Sequence, residues 1–165
     1  MRLPCRDVRG CRKALGHARY LSQIDLKAGY YNVPLDPTSQ QLTAFSTPMG
    51  TYYWTRMTQG LQNAPCWFQW VMEDVLRGLP VSVMLDDVGT ADADLDANLR
   101  EAGDVILRLT GHGAMVGLPK CSFGMTAARH LGDWWCSGGK FRPSPDKLAV
   151  LVQLTEEQLS SMPRA

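Results

Sequence analysis

The sequence lacks the features that mark membrane, secreted and metal-cluster proteins. None of its apolar runs approaches the roughly 20 residues that a membrane-spanning helix needs, and its basic N-terminal segment leads into no apolar signal-peptide core. Its five cysteines form no C-x-x-C pair, and its three histidines show no H-E-x-x-H spacing. We therefore predict a soluble, intracellular protein that is not secreted, has no membrane partner, and carries neither a disulfide framework nor a histidine site.

Charge is modest overall but segregated along the chain. Of the 165 residues, 45% are hydrophobic and 20% are charged, which suits one domain with one core. The net charge is only +1, yet residues 1–30 carry seven Lys/Arg against two Asp, and residues 73–104 carry nine acids against two Arg. Such an acidic segment between basic flanks is typical either of a solvated helix or of carboxylates that hold cations beside phosphate-binding surfaces.

The hydrophobic periodicity predicts strands and helices in mixed order. Residues 81–85 are apolar and β-branched, which favours a central strand. This order predicts an α+β fold in which an antiparallel sheet is backed by two helices. The predicted strands cover 20–26, 42–47, 52–57, 81–85, 121–123 and 131–136, and the predicted helices cover 63–79, 95–109 and 145–160.

Three aspartates stand at predicted strand ends. Asp86 and Asp87 follow the strand 81–85 directly, and Asp25 ends the strand 20–26. Adjacent strand residues point to opposite faces, so Asp86 and Asp87 can serve one site only at a tight turn. If the strands 20–26 and 81–85 lie side by side, the three carboxylates converge on a site suited to two divalent ions and phosphoryl transfer. The alternative is an Asp25 that caps a turn and an exposed acidic loop.

Several blocks resemble those of reverse transcriptases from gypsy-type long-terminal-repeat retrotransposons. They occur in the order of that family's blocks and cover roughly residues 3–150, which makes the set far more specific than any single block. The blocks are YLSQIDLKAGY at 20–30, LTAFSTP at 42–48, TRMTQGLQNAP at 55–65 with Phe68-Gln69, MLDD at 84–87, KCSFG at 120–124 and HLG at 130–132.

The resemblance implies the palm of a right-handed polymerase, here a partial hand with fingers and thumb largely absent. Its activity would be that of an RNA-directed DNA polymerase, which joins a deoxynucleoside triphosphate to a primer on an RNA or DNA template. Two Mg²⁺ ions, replaceable by Mn²⁺, would support the transfer. Asp25 and Asp86 would bind both metals, Asp87 would support the site, and the Leu26 carbonyl would complete the coordination.

The resemblance also implies roles outside the carboxylates. Tyr30 would stack under the sugar and exclude a ribose 2′-hydroxyl, and Gln59 would contact the incoming nucleotide. Lys120 would protonate the leaving pyrophosphate, although an exposed lysine at a strand start explains it equally well. The residues assigned to template or primer are Gly60, Pro65, Met84, Leu131 and Gly132.

The sequence departs from the family pattern at several points. Met84 stands where the family usually has an aromatic residue, and residues 88–92 are weak strand material for the return arm of the turn. We expect a truncated or degenerate copy of such an enzyme, with a palm over 1–150 and the start of a thumb-like helix over 151–165. A larger polyprotein would supply the missing fingers, thumb and ribonuclease H. Two alternatives stay open: a non-catalytic remnant that binds nucleic acid or protein, and a two-metal phosphoester hydrolase.

Overall fold

A four-stranded antiparallel sheet organises the chain. The computed structural model describes Leu15 and residues 18–152, with only the backbone for 150–152. The strands of this sheet are β1 (Tyr20–Asp25), β4 (Val81–Met84), β5 (Asp87–Asp92) and β6 (Ser122–Met125). Their order in the sheet is β4-β5-β1-β6, and each neighbouring pair is antiparallel.

Two long helices cover one face of this sheet, as predicted. Helix α2 (Ala64–Val75) precedes β4, and helix α3 (Leu95–Gly111) follows β5. Asp94 caps α3, since its carboxylate accepts a hydrogen bond from the Ala97 N–H. The apolar faces of both helices meet the even-numbered side chains of β1 in a single core. Its buried members include Ile24, Leu26, Phe68, Met72, Leu76, Val83, Val88, Ala102, Val105 and Leu109.

The opposite face of the sheet carries a smaller cluster beneath a second sheet. Strands β7 (Ala127–His130), β8 (Asp133–Cys136) and β9 (Lys140–Pro143) form that three-stranded sheet. Trp135 is fully buried and packs with Leu21 in this cluster. The main sheet is therefore covered on both faces.

Shorter elements complete the described part of the chain. Helix α1 (Pro37–Gln40) precedes a hairpin of β2 (Phe45–Thr47) and β3 (Gly50–Tyr52). Helix α4 (Pro145–Val152) follows β9, and the predicted helical residues beyond 152 lie outside the described residues. None of the helices described is both long and apolar enough to cross a membrane.

Three sequence predictions about the sheet are wrong. The strand after α2 lies at an edge rather than in the centre, and β5 separates it from β1. Residues 88–92 form most of the six-residue strand β5, because their small side chains fit between the two covering layers. The first hairpin was predicted at 42–47 and 52–57, but its strands are shorter and closer to the turn at Pro48-Met49.

Candidate active site

The three aspartates singled out in the sequence meet at one end of the main sheet. Asp25, the last residue of β1, is paired in register with Asp87, the first residue of β5. The Asp25 carbonyl accepts the Gly117 N–H at 2.8 Å, and its N–H faces the Cys121 sulfur at 3.4 Å. Both backbone groups of Asp25 thus point away from β5, so Asp25 and Asp87 form a non-hydrogen-bonded pair, in which side chains lie closest.

These carboxylates line one small cavity. Its volume is about 280 Å³, and Asp25, Asp86, Asp87 and Lys120 are in its lining. The Asp25 and Asp87 side chains are 37% and 36% exposed, so solvent and ions reach both. Strand β5 pairs with both β1 and β4 and so brings the acids together. The predicted side-by-side arrangement of β1 and β4 is wrong, whereas the predicted convergence of the carboxylates is confirmed.

The donor set suits a hard divalent cation. Carboxylate and carbonyl oxygens are the ligands that Mg²⁺ prefers. Within Leu15 and residues 18–152, no three Asp, Glu, His or Cys side chains already stand close enough to enclose an ion. The cation facing Asp25 is the Lys120 ammonium, 3.9 Å from Oδ2. The donor types thus fit Mg²⁺, although the described side chains as they stand do not enclose an ion.

The Leu26 carbonyl is directed toward the same end of the sheet. Leu26 forms an antiparallel bridge with Val116, and the flanking bonds run from Gly117 N–H to Asp25 O and from Lys27 N–H to Met115 O. Since the flanking residues make these bonds, the carbonyl of Leu26 itself points to the other side of β1, where β5 lies.

The turn between β4 and β5 holds an unusual backbone conformation. Leu85 has φ +56°, in the left-handed region that leucine rarely adopts. The side chain of Gln69 reaches this turn from α2: its Oε1 accepts the Leu85 N–H at 2.7 Å, and its Nε2 donates to the Val83 carbonyl at 3.0 Å. The turn that carries Asp86 is therefore fastened to a helix.

Gly29 allows the segment that follows β1 to lie close to Asp86. The helical turn Gly29–Asn32 follows β1, and a Cβ placed on Gly29 would lie 3.1 Å from the Phe68 ring and 3.3 Å from the Asp86 Cβ. A larger residue would push the turn away from the carboxylates. Tyr30 stands beside it, with its ring centroid 4.9 Å from that of Phe68.

A second cavity of about 540 Å³ adjoins Asp25 on the side of residues 116–120. Lys27 and Lys120 line it, which gives it two cations beside one carboxylate. Gly117 forms its wall, and a Cβ there would lie 3.0 Å from Asp25 Oδ2. The two cavities share Asp25 and Lys120.

The remaining predicted residues lie outside the lining of the carboxylate cavity. Met84 ends β4 and is paired with Asp87, so it adjoins the site. Gln59 and Gly60 are exposed in the loop before α2, and Pro65 is exposed in its first turn. Leu131 and Gly132, both with positive φ, form the turn between β7 and β8. The structure gives these positions and leaves their roles as predictions.

Sequence reasoning missed two side chains beside Asp87. His130 is fully buried, and its Nδ1 lies 3.5 Å from Asp87 Oδ1, although the histidines were predicted to have no part in a site. Gln23 Nε2 lies 3.0 Å from the same Nδ1 and donates to the Arg129 carbonyl. The only available signal was the position of His130 directly before Leu131-Gly132.

Comparisons with known proteins define the class of this fold and site. Residues 3–135 match the family described as reverse transcriptase (RNA-dependent DNA polymerase). The Pol polyproteins of the Drosophila melanogaster transposons 297 and opus are 35% and 32% identical to 84% and 92% of the chain. The transposon gypsy polyprotein of the same fly is 29% identical over 86%.

Solved structures of the foamy viral protease-reverse transcriptase share the fold. The complex with an RNA/DNA hybrid superposes with a TM-score of 0.83 at 25% identity, covering 98% of this chain and 22% of the viral one. The complex with double-stranded DNA gives 0.84 at 25% identity, covering 96% and 29%.

The chain belongs to the reverse transcriptase family, and specifically to the reverse transcriptase domain of retroelement Pol polyproteins. Its α+β fold, with an antiparallel sheet backed by two helices, is that of a partial polymerase palm. The chain spans only 13% and 15% of the length of the 297 and opus polyproteins.

Proposed function

We propose that this chain carries the polymerase active site of a retroelement reverse transcriptase and extends a primer on an RNA or DNA template with deoxynucleotides. The observation that supports this most is the register pair Asp25–Asp87 with Asp86 in the adjoining turn. A hydrolase would need the same acids, but the family match over residues 3–135 favours polymerisation.

The proposed metal site uses Asp25, Asp86 and the Leu26 carbonyl as ligands, with Asp87 supporting them. Two Mg²⁺ ions, or Mn²⁺ in their place, would when bound neutralise charge on a transferring phosphoryl group and make the primer hydroxyl more acidic. The carboxylates repel one another without a cation between them, so they favour ion entry. Their partial exposure leaves the cavity open to the triphosphate.

The other residues position the substrates or handle a proton. Tyr30 lies on Phe68 and would support the sugar while its ring excludes a 2′-hydroxyl. The Lys120 side chain is 78% exposed and its ammonium adjoins Asp25, where it can donate a proton to the departing pyrophosphate. Gln59 would contact the nucleotide. Template and primer would be contacted by Gly60, Pro65, Met84, Leu131 and Gly132.

The polyprotein setting belongs to the same proposal. Foamy viral relatives of this fold were solved with RNA/DNA hybrid and with double-stranded DNA. We assign residues 1–150 to a palm and 151–165 to the start of a thumb-like helix, with further contacts to primer and template made by other segments of a larger polyprotein.

Primer extension tests the proposal. The 165-residue chain is incubated with a primed homopolymer, labelled deoxynucleotide and Mg²⁺ or Mn²⁺. We expect extension that Asp25→Asn abolishes and that Asp96→Asn, an exposed acid on α3, leaves unchanged.

Nucleic-acid binding without extension would instead favour the non-catalytic alternative. Affinity for RNA would then fall steeply with salt and be the same in Asp25→Asn, because phosphate contacts and not the carboxylates would hold the RNA.

A further inference from the structure

The side chain of Gln69 is committed entirely to the turn before Asp86 and to its own helix. Gln69 is 1% exposed, and its Nε2 donates to the Val83 carbonyl at 3.0 Å and to Glu73 Oε1 at 2.9 Å. Both N–H groups of the amide are thereby used, which fixes its orientation. Its Oε1 must then face the turn, where it accepts the Leu85 N–H at 2.7 Å.

This bond acts on the one residue of the turn whose backbone is strained. Leu85 has φ +56°, a conformation that a non-glycine residue keeps only when its surroundings enforce it. Val83 lies two residues before Leu85, and Asp86 follows Leu85 directly. Gln69 therefore binds both the end of β4, through Val83, and the strained residue Leu85. Released from that bond, Leu85 would relax toward negative φ and turn Asp86 away from Asp25.

We propose that Gln69 is a positioning residue, which holds Leu85 in the left-handed conformation so that Asp86 faces Asp25. The part of this inference that concerns metal rests on the proposed function, whereas the part that concerns the turn does not. Gln69 touches no substrate in this account and acts only through the backbone of residues 83–85.

The first test measures the turn itself. Hydrogen exchange of the Leu85 amide is followed by NMR in the full chain and in Gln69→Met, which keeps the length of the side chain but removes its hydrogen bonds. Met72→Ala is the control, because Met72 is buried on the same helix and belongs to the apolar core. We expect exchange at least tenfold faster in Gln69→Met than in Met72→Ala. Equal exchange in the two variants would overturn the inference.

The second test asks whether glycine at position 85 makes the hydrogen bond from Gln69 unnecessary. Glycine adopts positive φ without strain, so Leu85→Gly should make the turn independent of Gln69. The affinity for Mn²⁺ is measured by electron paramagnetic resonance in all four combinations. We expect Gln69→Met to weaken binding at least fivefold when residue 85 is leucine and less than twofold in the Leu85→Gly background. Equal losses in both backgrounds would overturn the inference.

Folding failure is also informative. If Gln69→Met unfolds the chain alone but not together with Leu85→Gly, the role in the turn is supported. If it unfolds the chain in both backgrounds, Gln69 serves the core and the inference fails. If the unsubstituted chain and Asp25→Asn bind Mn²⁺ equally, the proposed metal site fails, and the Leu85 exchange rate alone decides for or against Gln69.

Discussion

Both long helices insert a buried amide into the main sheet, but the two amides hold different kinds of backbone. Asn98 of α3 binds regular strands: it accepts the Ser22 hydroxyl at 2.6 Å and donates to the Thr90 carbonyl at 3.0 Å. Gln69 of α2 binds the strained turn at Leu85. One amide therefore stabilises the middle of the sheet, whereas the other shapes its carboxylate end.

The groups that stabilise the fold and the groups proposed for chemistry lie in different parts of the main sheet. The Asn98 network is buried and joins β1, β5 and α3, and the Ser22 hydroxyl also accepts the Gly124 N–H of β6. The carboxylate end is open to solvent and brings like charges together. Substitutions near Asn98 should therefore change the free energy of unfolding, and substitutions near the turn should change activity.

The largest effect is expected at Asp86. Asp86→Asn should lower primer extension on the order of a thousandfold, because the proposed site loses a charge shared by two ions. The free energy of unfolding should change by no more than about 0.5 kcal/mol, since Asp86 is exposed. Steady-state kinetics and urea unfolding of the same preparation check both values. A loss of activity that merely follows a loss of folding would show that Asp86 stabilises the fold rather than serving the chemistry.

The opposite result is expected at Asn98. Asn98→Leu should reduce the free energy of unfolding by about 3 kcal/mol, because it removes the acceptor of the buried Ser22 hydroxyl and a donor to the buried Thr90 residue. Primer extension per folded molecule should stay within about twofold, which active-site titration at low temperature would measure. A selective loss of activity in fully folded Asn98→Leu would show that the two ends of the sheet are not separate.

A smaller effect of the same kind is expected at Ser22. Ser22→Ala removes one hydroxyl that joins Asn98 to the Gly124 N–H, so we expect a loss of about 1 kcal/mol. Thermal and urea unfolding provide the measurement. A loss as large as that of Asn98→Leu would mean that the hydroxyl, rather than the amide, holds the network together.

The smallest effect is a gain in stability at Glu101. Burial raises the pKa of Glu101, and the nearby charges of Asp92 and Asp104 add to the shift. Folding therefore disfavours the ionised form of Glu101 and lowers the stability of the chain. This loss of stability is fully present at a pH above the pKa in the folded state, and it is absent at a pH below the pKa in the unfolded state. Glu101→Gln should stabilise the chain by about 0.5 kcal/mol at pH 7, and the gain should vanish as the pH falls below 4. A gain that is the same at both pH values would contradict this sign.

The sequence predicted those elements whose formation depends on interactions between residues close together in the chain. The stripe on residues 95–109 predicted α3 to within two residues, and the carboxylates at strand ends predicted the turn and its convergence with Asp25. These elements depend on periodicity and on short-range turn chemistry.

Strand β5 could not be predicted because its stability comes from distant residues. A Cβ at Gly89 would lie 3.1 Å from the His130 ring, and Thr90 is held by Asn98 of α3. Gly89, Ala91 and Asp92 make this segment look like weak strand material, yet the missing side chain of Gly89 admits the His130 ring on one face while Asn98 binds Thr90 on the other. The contacts of Gln69 and His130 with the site were equally invisible, since both depend on tertiary packing.

The proposed chemistry requires that Asp25 and Asp86 share metal ions. Anomalous X-ray diffraction from crystals of the chain soaked in Mn²⁺ would show whether they do. We predict anomalous density in the cavity of about 280 Å³ between β1 and the turn, within coordination distance of carboxylate oxygens from both residues, and its loss in Asp25→Asn crystals. Density bound to only one of the two aspartates, or unchanged density in Asp25→Asn, would contradict the account.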